Sequence, residues 1–227
     1  VEVGVEPDQV ITTADYSKAV TYNKGSDDLS IIDVDGEELE VSTVSVLQNL
    51  NSLVLSPDGI WAIVFHDADL DEQGTGTGTQ SFNEISVVNT DTNEHFPMVV
   101  GRNPHQVKFT DDSTIGLVIS DEKLALIDLA SGIPDRRIIE ISDDLLDAPR
   151  AEELEITPNG AYAFIRQFGT TEIKLVDLTS EEVTDLPVES NPTDLDLSPD
   201  GSLAVVVDRG AGKLFLFPTD DPETAIA

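Results

Sequence analysis

Two arginines, one histidine and three alternating aspartates are the residues whose types and spacing could do chemistry in this chain. Arg102 and Arg150 are two of only twelve Lys and Arg residues, set against 45 carboxylates. A pair of guanidinium groups can receive an anionic ligand group through forked N–H donors. In so acidic a chain each can equally neutralise neighbouring carboxylates. His105 lies near Arg102 in GRNPHQV, where a neutral surface imidazole is the plainer expectation. Asp67, Asp69 and Asp71 stand at i, i+2 and i+4, the alternation that offers hard oxygens to Ca²⁺ in short loops. The match to a calcium loop of the EF-hand type is incomplete, because its sixth position is Glu72 and its twelfth is Gly78. Ca²⁺ is therefore an expectation from spacing alone, and a solvated hairpin explains the same residues.

Other reactive patterns are absent or out of context. GTGTGT (74–79) is glycine-rich, but it is neither GxGxxG nor a P-loop, and no helical pattern follows it. Ser120-Asp121-Glu122-Lys123 fits S-x-x-K, yet it falls in a turn between VIS and LALID, whereas serine–lysine enzymes need it in a helical turn. No G-x-S-x-G occurs. His66, His95 and His105 lack ligand spacing, and His95 in NEHFP reads as a turn residue. Among 45 acids many pairs will be close by number alone, so none is singled out for acid–base work. Trp61 occupies a core-like position.

The net charge is −33. Such a surface repels phosphate backbones and anionic lipid, which disfavours nucleic-acid and membrane-surface roles and leaves cationic ligands, metals or basic partners. It also suits plain solubility in saline surroundings. There is no cysteine, which rules out disulfides and thiolate metal sites and is compatible with export. The longest apolar run, IWAIVF (60–65), is far short of the ~20 residues of a membrane span. No signal peptide is visible, and the chain starts at Val1 with strand-like VEVG, which reads as a segment of something longer.

The elements that must position these residues repeat along the chain. LVLSPDG ends at Gly59, LEITPNG at Gly160 and LDLSPDG at Gly201, with weaker copies VKFTDDS and VITTADY. Asp15, Asp58, Asp112, Asn159 and Asp200 are equivalent, at spacings of 43, 54, 47 and 41. Proline pre-sets the turn, the aspartate bonds to nearby backbone, and the glycine takes the left-handed conformation that closes a tight hairpin. Thr110–Ser113 and Ala14–Tyr16 lack this full chemistry, and looser corners are expected there. Each corner leads into an apolar strand (KAVTYN, IWAIVF, IGLVIS, AYAFIR, LAVVVD), a second strand of the LALIDL kind, a more polar strand and a Pro-bearing link. Strands apolar on both faces require cover on two sides. Four-stranded units with a period in the forties predict an all-β propeller, with about five blades covered. Repeats fall at about 5–48, 49–102, 103–149, 150–190 and 191–227, in a single domain or part of one.

The pattern P-x-x-[VL]-x-[LFI]-[ST]-P-[DN]-G, followed by [LI]-x-[LV]-[VI]-D-[LV], resembles the YVTN-type β-propeller repeats, relatives of lactonase-like and quinoprotein-like propellers. The resemblance covers essentially the whole chain and rests on turn and packing residues, so it speaks for fold more than activity. It implies a surface or periplasmic location and a parent of about seven blades. Both ends fall mid-repeat, so an open arc is expected; a five-bladed ring closed by pairing of residues 1–4 with 214–217 is the alternative. In such propellers the links ring one mouth of the channel, which would gather Asp8, Asn51, Arg102, His105, Arg150, Glu152, Thr193 and Asp194 there. Arg102, His105, Arg150, Asp194 and Asp8 are then the expected ligand-binding residues, with the two arginines facing each other across a funnel. The expected function is a non-enzymatic binding or scaffold module, with an unidentified protein or small molecule as partner. The alternatives are a lactonase-like hydrolase acting through His105, Arg102, Arg150 and carboxylates, perhaps with a divalent metal, and a redox-cofactor propeller.

Overall fold

The computed structural model describes residues 1–34, 39–67, 70, 83–142 and 149–224. Five corners built on one plan organise them. In the second, Ser56 Oγ donates to Asp58 Oδ1 at 2.6 Å, which also accepts the Ile60 N–H at 3.0 Å. Ser56 Oγ in turn accepts the Trp61 N–H at 2.9 Å. Gly59 closes the turn at φ 75°. Thr110/Asp112, Thr157/Asn159 and Ser198/Asp200 repeat the same set of bonds. At Thr13/Asp15 the Ser17 and Lys18 amides are held in the same way. Hydroxyl donors, Thr13 and Ser198 foremost, hold the carboxyls of Asp15 and Asp200 down at about 2.

The expectation of looser corners without glycine is overturned. Tyr16 and Ser113 adopt φ of 61° and 60°, the same left-handed conformation as Gly59, Gly160 and Gly201. The hydroxyl–carboxylate bonds are sufficient to impose the turn, at the cost of strain in a residue that carries a Cβ.

Each corner joins the first two strands of an antiparallel sheet. The first sheet is β1 (Pro7–Thr12), β2 (Lys18–Asn23), β3 (Asp28–Asp33) and β4 (Glu40–Ser45). The second is β5 (Ser52–Leu55), β6 (Trp61–Phe65), β7 (Glu84–Asn89) and β8 (Glu94–Val99). The third is β9 (Gln106–Phe109), β10 (Ile115–Ile119), β11 (Lys123–Asp128) and β12 (Asp135–Glu140). The fourth is β13 (Ala151–Ile156), β14 (Tyr162–Gln167), β15 (Glu172–Asp177) and β16 (Val183–Pro187). The fifth has three strands among the described residues, β17 (Pro192–Leu197), β18 (Leu203–Asp208) and β19 (Lys213–Pro218). His95 lies within β8, half-buried with Nε2 2.9 Å from Ser86 Oγ, and is not the turn residue that NEHFP suggested.

The packing shows why the second strand of each repeat is apolar throughout. All five residues of β6 are buried. Ala62 and Val64 join a core with Val20, Tyr22, Leu29 and Ile31 of the first sheet. Trp61, Ile63 and Phe65, pointing the other way, join Val107, Val118 and Ile127 of the third. The third and fourth sheets share Leu117, Leu126, Leu154 and Ile165. The fourth and fifth share Phe164, Leu175, Val206 and Phe217. Four such cores stack five sheets face to face in chain order, which makes each sheet a blade of an all-β propeller arc.

Residues 1–4 are not a strand. Instead the Gly4 and Val5 N–H groups donate to Ser30 Oγ and Ser26 Oγ, at 3.2 and 2.9 Å, beside the β2–β3 hairpin. β19 pairs with β18 and with no residue of 1–4. Ring closure through that pairing does not occur among the described residues. None of their helices is long and apolar enough to cross a membrane.

Candidate functional site

Each link between blades folds back onto the hairpin joining the second and third strands of its own blade, so links and these hairpins share one end of the arc. The corners occupy the other. The clearest anchor is Asp208, at the end of β18 and wholly buried. Its carboxylate accepts the N–H groups of Glu189, Ser190 and Asn191 in the link at 3.0, 2.8 and 3.1 Å, and that of Ala211 at 3.0 Å. Burial opposes its ionisation, but the four donors outweigh burial and hold the carboxyl below the usual carboxylate range. In the first link the buried Tyr22 hydroxyl donates to the Leu50 carbonyl at 2.8 Å. Burial, aided by Asp27, pushes this phenol up to about 12.

The third blade anchors its link with charge. Arg102 Nε lies 3.2 Å from Asp121 Oδ2, and Arg150 Nε lies 3.9 Å from Asp121 Oδ1. Asn103 Nδ2 donates to the same carboxylate at 2.8 Å. Asp121 sits in the β10–β11 hairpin, with its side chain 14% exposed. The arginines predicted to face each other across a funnel therefore stand in neighbouring links on either side of one carboxylate. The reason is positional: Asp121 N–H also donates to the Arg102 carbonyl and its own carbonyl accepts from Ala151 N–H, which pins this hairpin between the two links.

His105 follows directly. Its Nδ1 is 3.0 Å from the Asn103 carbonyl, which can only accept, so the proton belongs on Nδ1. Nε2 is buried and without a hydrogen-bond partner among the described residues. Asp8 and Asp194 are exposed on the inner strands β1 and β17. Glu152 is drawn away by Arg166, whose Nη1 lies 2.5 Å from it and whose Nε meets Glu153 at 2.6 Å. Asn51 is bound to the backbone of Asp67 through both ends of its amide. Of the calcium triplet only Asp67 is described; Asp69 and Asp71 lie outside the described residues. Among the described residues no group of three or more acidic or histidine side chains is arranged to hold a metal.

Two residues not singled out by type or spacing carry the inner strands. Gln9 Oε1 accepts the Leu53 N–H at 2.6 Å, and Gln106 Oε1 accepts the Leu154 N–H at 2.7 Å, each stitching one inner strand to the next. The signal was present: GVEPDQV and GRNPHQV align without a gap and place these glutamines at the same position. Likewise, β-bulges recur at the second residue of three inner strands, Asp8, Glu152 and Thr193. They re-aim the chain where it leaves the link.

No family model and no curated protein matches the chain. Solved structures do match. The β-propeller domain of Cps50 (Swd1) from Myceliophteria thermophila is 11% identical with a TM-score of 0.63, covering 99% of this chain and 70% of that one. A candidate 6-phosphogluconolactonase from Bacteroides fragilis is 15% identical with a TM-score of 0.55, covering 100% and 71%. Hydrazine synthase from Kuenenia stuttgartiensis is 18% identical with a TM-score of 0.56, covering 99% and 70%. The chain has the β-propeller fold. At these identities the likeness extends no further than fold, and the named proteins differ widely in what they do.

Proposed function

We propose that this chain is a non-enzymatic binding or scaffold module of an exported or cell-surface propeller protein. The carrying observation is the state of the link face. Four of its charged side chains are held by structural partners: Arg102 and Arg150 by Asp121, Glu152 by Arg166, and Asp208 by four backbone amides. Such a face is rigid and varied from blade to blade, which suits recognition rather than turnover. Five blades spread over 70% of a neighbour's length scale to about seven across the whole, in keeping with a larger parent propeller of the YVTN type.

One observation favours a lactonase-like hydrolase as a second reading: the His105 Nε2 has no hydrogen-bond partner among the described residues, which leaves this imidazole as the candidate general base once a substrate opens access to it. Incubation of the purified protein with a panel of lactones, with and without Ca²⁺ or Mg²⁺, separates the two. The binding-module reading expects hydrolysis no faster than in buffer. Turnover that His105→Ala abolishes would overturn it in favour of the hydrolase.

A further inference from the structure

The hairpin between β14 and β15, at the link end, carries an aromatic tip. Phe168 is 67% exposed, although its backbone is firmly held. Its N–H donates to the Arg150 carbonyl at 2.7 Å, the preceding Gln167 Nε2 donates to the Pro149 carbonyl at 3.0 Å, and Gly169 turns the chain at φ 74°. The equivalent hairpin of the fifth blade keeps the same backbone bond, from the Arg209 N–H to the Asn191 carbonyl at 3.2 Å, with an arginine at the tip. The turn therefore needs no ring. A ring left in water contributes little to the fold, whereas one covered by a partner supplies a large apolar contact.

Two guanidinium groups adjoin this ring. Arg150 holds the hairpin through its carbonyl, and its side chain shares Asp121 with Arg102. Arg102 meets Asp121 through Nε; its Nη groups donate to no acceptor among the described residues, and its side chain is 67% exposed. Those N–H groups form a fork that matches a carboxylate. The nearest acids in sequence do not claim it: Glu122 has its Oε2 buried, and Glu152 and Glu153 are paired with Arg166. Arg102, Asp121 and Arg150 together carry a positive charge, within a chain whose net charge is −33.

The patch runs from Arg102 across Asp121 to Arg150 and on to Phe168, spanning the links that enter the third and fourth blades and one hairpin. That is the scale of a peptide segment rather than of one small molecule. Its complement is a segment with carboxylates for the guanidinium groups and an apolar side chain for the ring. The acidic surface elsewhere repels such a segment, which confines it to this patch. Because the backbone under Phe168 is already fixed, little ordering of this chain opposes docking.

We propose that this patch docks an extended acidic segment of a partner protein, with a carboxylate on the Arg102 fork and an apolar side chain on Phe168. This rests on the binding-module reading and names its partner class. The probe is the acetylated and amidated peptide Gly-Glu-Asp-Glu-Leu-Phe-Gly, titrated calorimetrically into the full chain. One analogue has Gln and Asn in place of the acids, and another has Ser-Ser in place of Leu-Phe. The parent peptide is expected to bind with a Kd below about 1 mM, and each analogue about tenfold or more weakly. Arg102→Ala and Phe168→Ser are expected to weaken the parent peptide by a similar factor, with unchanged circular dichroism and melting temperature because both side chains are exposed. Arg209→Ala, the same loss of charge at the equivalent tip of the fifth blade, is expected to leave binding unchanged.

No binding of the parent peptide up to about 1 mM overturns the proposal, as does equal binding of all three peptides or indifference to either Arg102→Ala or Phe168→Ser. Equal weakening by Arg209→Ala would assign the binding to overall charge and overturn the patch. The lactone assay is a separate readout: a peptide that fails to bind while lactones stay intact sinks this inference and spares the binding-module reading.

Discussion

The two ends of the blades solve the same problem, tying neighbouring chain segments together, in opposite ways. At the corner end all five repeats use one device, a hydroxyl bonded to an Asx side chain ahead of a left-handed residue. At the link end each blade uses its own: serine hydroxyls in the first, an asparagine amide in the second, a shared aspartate with two arginines in the third, Gln167 on the Pro149 carbonyl in the fourth and the buried Asp208 in the fifth. Repetition marks the end that the fold needs, and variation marks the end free to specialise.

The corners also touch one another, and this yields the largest expected effect. A Cβ at Gly201 would lie 2.1 Å from Pro158 Cγ, and one at Gly59 would lie 2.2 Å from Thr13 Cγ2. Gly201→Ala therefore combines left-handed strain with a clash between blades and is expected to cost about 3 kcal/mol in a urea melt. Gly132→Ala, also at a left-handed glycine but with nothing within 4 Å of the new atom, is expected to cost about 1 kcal/mol. Equal costs would break the claim that corners are an inter-blade device.

The next effect tests the link end. Asp208→Ala leaves four amides without their acceptor and is expected to cost roughly 2 kcal/mol. Because the Asp208 carboxyl is held below its ordinary value, its contribution is present above about pH 4 and is lost as pH falls through that lowered value. The stability gap between the native chain and Asp208→Asn, followed by urea midpoints, should hold from pH 7 to about pH 4 and close below it. A gap that widens in acid would contradict the assignment.

The smallest effect sharpens the corner rule. Tyr16 is exposed yet sits at φ 61°. Tyr16→Gly removes the strain and is expected to stabilise by up to about 1 kcal/mol in the same melt. Destabilisation would show that the ring packs usefully in spite of its exposure.

This contrast also explains which features are legible in the residues alone. Corners are local: Ser56, Asp58 and Gly59 lie within four positions of one another, and their chemistry dictates the turn, so strands and blades can be placed from the order of residues. Even there, Tyr16 and Ser113 depart from the rule that a left-handed corner needs glycine, because the hydroxyl–carboxylate bond suffices. Link partners are non-local. Asp121 follows Arg102 by nineteen positions and precedes Arg150 by twenty-nine, and no spacing rule selects it among 45 acids. The Arg136–Val99 contact joins two outer strands from different blades, which only the stacking brings together.

The β6 side chains divide between two cores, so the second blade has no interior of its own; it borrows one from each neighbour. The molecule then behaves as a row of coupled units in which a loosened blade strips cover from both sides of itself. Loosening of the second blade should accordingly be felt in the first and third together, because one strand closes both cores.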